Sequence, residues 1–358
     1  MKTLKYILGI MGIAGMTACN SGIDPITPVE PGSDLTPPEV AIAYPSEGAL
    51  IQVVEDVATI IIQIEVVDDI EIGNIVLQLD GNGITTFDSF KDYRRAVESY
   101  SYDKITNGKH TLEVIATDIS GKTTRQSVNF EKIPPYKPLY EGEIFYMPFN
   151  GDVSELVSIT SPEITGSPGF SDEGKIGKAY AGTPDSYLIF PTERLVGNEF
   201  SAACWYKLKT TPDRAGILTA GPEDTANPAA MNNRSSGFRF FREGSADKQT
   251  FKLNVGDGVN EYWFDGGDAA SLAPDGEWKH LAFTITKAEC KVYINGNVVS
   301  SGKVEGFSWE GCDILTIASG APRFTGWSHL SEESLIDELR LFNKALTQQQ
   351  ILQLMDAK

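Results

Sequence analysis

Between Trp278 and Gly296 apolar and polar residues alternate with period two. Leu281, Phe283 and Ile285 share one face of a first run, and Val292 and Ile294 share one face of a second. This is the pattern of two strands that each show one side to a core. The second run closes on Asn295-Gly296, a dipeptide that tolerates positive φ and suits a tight hairpin turn. The chain between 39 and 133 carries short runs of the same kind: 40–42, 60–67, 75–79, 111–116 and 124–130. Turn chemistry separates them, in Pro45-Ser46-Glu47-Gly48, Asp80-Gly81-Asn82-Gly83, Asn107-Gly108 and Ser120-Gly121. The pattern therefore predicts an all-β chain, with a small antiparallel sandwich in its first part.

Helical periodicity enters only at the end. Thr347 and Gln350 have the spacing of a capping box, and Ile351, Leu354 and Met355 fall on one face, so a short helix is expected to lie on the sheet. Ile133-Pro134-Pro135-Tyr136-Lys137-Pro138 can join neither ladder nor helix, which places a linker at 134–139 and a second domain at 140–358.

The residues at 1–18 differ from all of this. Lys2 and Lys5 precede an apolar run from Tyr6 to Met16, too short to span a membrane as a mature helix, in the layout of a signal peptide. Met16-Thr17-Ala18-Cys19 resembles a bacterial lipobox, which implies lipidation of Cys19. Residues 19–38, rich in Pro, Gly and Ser, read as a disordered tether. Its mild acidity resembles the export tag of surface lipoproteins in polysaccharide-degrading Gram-negative bacteria, so the expected location is the outer membrane or cell surface, beside other surface uptake proteins. A net charge of −19 on 358 residues repels phosphate backbones, which argues against nucleic acid and leaves neutral glycans and divalent cations compatible.

Several motifs carry family resemblances. Asn107-Gly108-Lys109-His110-Thr111-Leu112 and Ala116-Thr117-Asp118-Ile119-Ser120-Gly121 resemble bacterial immunoglobulin-like repeats, which implies a spacer domain over 39–133. Beyond 140, the turn at Phe149-Asn150-Gly151-Asp152, the strand Phe200 to Lys207, Trp278-Lys279-His280 with Tyr293-Ile294-Asn295-Gly296, and Ile336-Asp337-Glu338 through Thr347 resemble the laminin-G-like, concanavalin A-like jelly roll. The resemblance implies carbohydrate binding or adhesion. It also implies one structural calcium ion on Asn150, Asp152 and Asp337; the same residues suit a turn and a backbone cap.

Catalysis finds little support. Glu332, Glu333, Asp337 and Glu338 lack the spacing that sets an acid and a nucleophile about 5.5 Å apart, and no GxSxG or HExxH motif occurs. Sugar capture requires apolar platforms and planar hydrogen-bonding groups. Trp205 and Trp278 fall at positions that the jelly-roll pattern gives to the core. The candidate binding residues are Trp263 with Tyr262, Trp309, and Trp327 with Arg323 and Phe324 in the long 319–334 loop, the three tryptophans being equally compatible with packing, and Arg239, a concave-face donor or an ordinary exposed strand arginine. The function expected is glycan capture without turnover, with a protein-binding adhesion module as the alternative and a hydrolase or lyase as the third. Cys204, Cys290 and Cys312 are expected as buried small hydrophobes, with a Cys290 to Cys312 bridge open.

Overall fold

The computed structural model describes residues 32–357. The signal peptide, Cys19 and most of the tether lie outside the described residues. The first sandwich pairs a three-stranded sheet with a five-stranded one. The former has the order Glu39–Tyr44, Ala58–Val67, Arg95–Ile105; the latter runs Ala49–Ile51, Thr123–Lys132, Gly108–Asp118, Ile72–Leu79, Asn82–Phe87. Period two decides the facing: Ile60, Ile62, Ile64 and Val66 are buried while Ile61 faces solvent. Asp80 and Gly81 both hold positive φ in the two-residue turn between Ile72–Leu79 and Asn82–Phe87. Three strands lie outside the runs that the apolar pattern marks, and one of them, Ala49–Ile51, is only three residues long. Asn82–Phe87 and Arg95–Ile105 bury few side chains, so their sequences carry little alternation.

Two eight-stranded sheets form the second sandwich. One has the order Glu163–Thr165, Tyr187–Pro191, Ile314–Ile317, Arg214–Ala220, Ser236–Gly244, Gln249–Asp257, Glu261–Asp265, with Ser271–Leu272 beside Gln249–Asp257. The other has Gly169–Ser171, Ala179–Ala181, Leu335–Phe342, Phe200–Lys207, Trp278–Ile285, Glu289–Ile294, Asn297–Lys303, with Glu143–Met147 beside Leu335–Phe342. Phe200, Phe238, Phe240, Phe283, Leu281 and Val292 interdigitate in the core between them. The hairpin of 278–296 has the expected register, Leu281 opposite Ile294 and Phe283 opposite Val292, and Asn295 and Gly296 hold φ of 49° and 74°.

The outer face of the second sheet is covered. Ala203, Ala282, Tyr293 and Phe342 meet Leu346 and, from the helix Gln348–Leu354, Ile351 and Leu354; the capping box on Thr347 and Gln350 is formed. Trp205 also stands outside the core, buried against His280 with the Lys175 ammonium 4.0 Å above its ring. Cys204, Cys290 and Cys312 are buried and free.

Candidate ligand-binding face

On the other sheet the outer face is built strand by strand. In Ser236–Gly244, Phe238 and Phe240 point into the core, which turns Arg239 and Phe241 outward. The register sets Arg239 opposite Asn254 and Asn254 opposite Trp263. Glu261–Asp265 is an edge strand; Phe264 enters the core and Trp263 faces out, 41% exposed. The loop at 319–334 folds over this face. It buries Phe324 and His329 on Phe241, with ring centroids 5.3 and 4.4 Å from it, and Phe324 and His329 stack at 4.9 Å and 12°. Trp327 stays 43% exposed, its ring 5.8 Å from that of Trp263 at 36°.

Arg234 completes the pair. Its guanidinium lies 4.7 Å from the Trp327 ring centre and 5.7 Å from that of Trp263. Glu261 fixes it, accepting from Nε and, at 3.0 Å, from Nη2. Thr325 N–H donates to the Met231 carbonyl, which joins the loop of Arg234 to the loop of Trp327. No pattern in the sequence singles out Arg234, Glu261 or Asn254. The only signal for Arg234 is the length of its own loop, after Gly221.

The loop is anchored by Glu332, whose side chain and that of Arg242 are both 0% exposed. Arg242 donates to Glu332 through Nε and Nη2, at 2.8 and 2.7 Å, and to Gln249 and the Pro212 carbonyl through Nη1. The Tyr206 hydroxyl donates to Glu332 at 2.6 Å.

The remaining candidates are placed differently. Arg239 is buried under the Arg234 loop, donating to the Ser236 and Asn233 carbonyls, so the expected solvent-facing donor is a packing group. Burial lowers its pKa to about 10, and it stays charged at neutral pH. Trp309 packs edge-on against Phe200 and Phe238 and donates to the Gly197 carbonyl. Arg323 is held by both oxygens of Asp313, and the Tyr262 hydroxyl by Asp257. Phe324 is floor rather than platform.

Residues 181–352 match the family of the concanavalin A-like lectin/glucanases superfamily, of laminin-G type, and residues 38–114 match the bacterial Ig domain. The second sandwich is a concanavalin A-like domain. Among solved structures, domain 4 of an extracellular arabinanase from Geobacillus stearothermophilus, determined with arabinotriose, is 24% identical, with a TM-score of 0.46 over 60% of this chain and 98% of that one. The binding domain of Paraclostridial Mosquitocidal Protein 1 is 15% identical, with a TM-score of 0.44 over 61% of this chain and 52% of that one. The binding domain of botulinum neurotoxin DC, determined with SialylT, is 12% identical, with a TM-score of 0.42 over 60% and 50%. The chain thus spans nearly all of the first and about half of the other two. No curated protein matches it.

The three residues to which the resemblance assigns calcium, Asn150, Asp152 and Asp337, each accept from backbone N–H groups. Calcium takes about six to eight oxygens. Asn150 Oδ1 accepts from Lys178 N, Asp152 Oδ1 from Ser154 N, and the two oxygens of Asp337 from Ile176 N and Glu338 N. The turn and backbone roles are the ones in place, and among the described residues no three His, Cys, Asp or Glu side chains gather where a metal ion could be held. Of the carboxylates weighed for catalysis, Glu332 is paired with Arg242, Glu333 with Lys209, and Glu338 with Arg340 and the Tyr146 hydroxyl.

Asp337 has a consequence for stability. Burial, with the Glu338 charge beside it, pushes its pKa up to about 7. Between about pH 4 and 7 the folded chain therefore holds a proton there that the unfolded chain releases, and this group adds stability as pH falls. His280 and His329 act oppositely, since burial lowers both to about 4 and the unfolded chain protonates first. Asp337→Asn removes the only one of these three contributions that favours low pH. Its unfolding free energy, from urea titrations, should fall more steeply than wild type between about pH 7 and pH 4, by up to about 1.4 kcal/mol per pH unit. Parallel curves would refute the assignment.

Proposed function

We propose that the concanavalin A-like domain captures glycan without turning it over, with Trp263 and Trp327 as the stacking platform. One observation carries this reading: two large aromatic side chains, from an edge strand and a distant loop, stand side by side and half exposed on a floor of buried rings. A sugar presents an apolar face that such rings cover, and a rigid floor keeps the ordering cost of binding low. The superfamily contains lectins as well as glucanases, and the committed carboxylates leave the concanavalin A-like domain acting as a binder rather than an enzyme. The local charges are paired, Arg234 with Glu261 and Arg323 with Asp313, which favours a neutral glycan. In the same reading Cys19 carries a lipid, the Ig-like domain is a spacer at the cell surface, and many copies on one membrane raise a weak single-site affinity.

The test is a glycan array with the full chain, followed by calorimetry on the best ligand. Trp263→Ala should weaken binding at least about 30-fold, the loss of a contact worth about 2 kcal/mol. Absence of binding to every neutral glycan on the array would overturn the proposal.

A further inference from the structure

Arg234 carries more donors than its partners use. Its guanidinium gives the Nε hydrogen and one Nη2 hydrogen to Glu261, and one Nη1 hydrogen to the Asn232 carbonyl at 3.3 Å. A guanidinium has a single hydrogen on Nε and a pair on each terminal nitrogen. One N–H on Nη1 and one on Nη2 therefore have no partner among the described residues. The same group borders both exposed rings of the platform, and 22% of its side chain remains open to solvent.

The guanidinium is also fixed in place. Asn254, which has no exposed surface, donates to Glu261 from below. The backbone at Asn233, next to Arg234, accepts from the buried Arg239. From the other side, Gly326 brings the Trp327 loop against the Arg234 loop. A Cβ at 326 would sit 2.7 Å from the Ala230 carbonyl oxygen and 3.1 Å from Asn232 Cβ, so any side chain there would push the two loops apart. Glycine thus sets the spacing between ring and guanidinium. A donor pair ordered in advance gives up little conformational freedom when a ligand arrives.

We infer that Arg234 is the specificity-determining residue of this face: its two spare N–H groups, a planar fork, donate to neighbouring hydroxyls of the sugar that lies on Trp263 and Trp327. Glu261 is the positioning residue that orients the fork. The inference rests on the glycan reading of the platform and narrows the ligand class. Stacking alone accepts any ring with an apolar face. A rigid fork selects oxygens on adjacent carbons, so the stacked residue carries two free hydroxyls side by side. A glycan deoxygenated at either position leaves a charged donor unpaired and is rejected.

The test uses calorimetry on the full chain with the best neutral glycan of the array and with its monodeoxy analogues, each lacking one hydroxyl. Wild type should lose at least about tenfold in affinity for the analogues that lack either of two hydroxyls on adjacent carbons. Arg234→Lys keeps the charge without the fork. It should bind the parent glycan at least about tenfold more weakly, and those two analogues within about threefold of the parent. An arginine that only packs against the rings would, when replaced, weaken parent and analogues alike and leave their ratio intact; that result would overturn the inference. So would sensitive hydroxyls that are not neighbours. If wild type binds no neutral glycan, the platform reading and this inference fall together. If Trp263→Ala loses binding while Arg234→Lys keeps wild-type affinity and discrimination, the inference falls alone.

Discussion

Glu332→Leu is expected to destabilise the second sandwich by about 3–5 kcal/mol, the range for breaking a buried ion pair by removing one partner. The substitution strands the Arg242 guanidinium, whose Nε and Nη2 donate to Glu332 inside a site with no exposed surface on either side chain. It also leaves the Tyr206 hydroxyl without its acceptor at 2.6 Å. The cost is that of an uncompensated charge and not the worth of the pair. The double variant Glu332→Leu with Arg242→Met should therefore recover most of the loss. Urea unfolding of the three proteins checks this; a single variant within about 1 kcal/mol of wild type would show that water reaches the guanidinium. Glu332 also terminates the loop that carries Phe324, Trp327 and His329, so its loss should loosen the platform and weaken glycan binding even in molecules that stay folded.

That loop marks the division between what the chain declares locally and what only its fold assembles. The hairpin of 278–296, the Asn295-Gly296 turn and the Thr347 capping box are short-range patterns, and each forms where the residues place it. Period-two alternation also fixed which side of Glu261–Asp265 Trp263 would take. Arg234 and Glu261 gave no such signal, because their ion pair joins a loop to an edge strand, and neither neighbourhood shows a period. Arg239 misled for a related reason. Its strand correctly turns it away from the core, yet the Arg234 loop then covers it, a contact no strand pattern encodes. Asp337 shows the third limit: that its carboxylate accepts from Ile176 N and Glu338 N depends on how a distant turn meets its strand, which the letter itself does not carry.

Trp309 and Trp327 turn this division into a measurement. Both stand in poorly patterned segments and both were candidates for stacking on sugar. Trp309→Ala should cost about 3–5 kcal/mol of stability, as expected for emptying a packed aromatic site, because its ring meets Phe200, Phe238 and Phe307 edge-on. Its folded fraction should bind glycan as wild type does. Trp327→Ala should behave in the reverse way, with less than about 1 kcal/mol lost in unfolding and at least about 30-fold lost in affinity. Since its ring lies 5.8 Å from Trp263 and both pack against Arg234, the two platform substitutions should not add. A double-mutant cycle on affinity should give a coupling of about 0.5 kcal/mol or more. Additive losses would mean two independent sugar contacts, and equal stability losses for Trp309→Ala and Trp327→Ala would make Trp327 a packing residue whose exposure has no functional meaning.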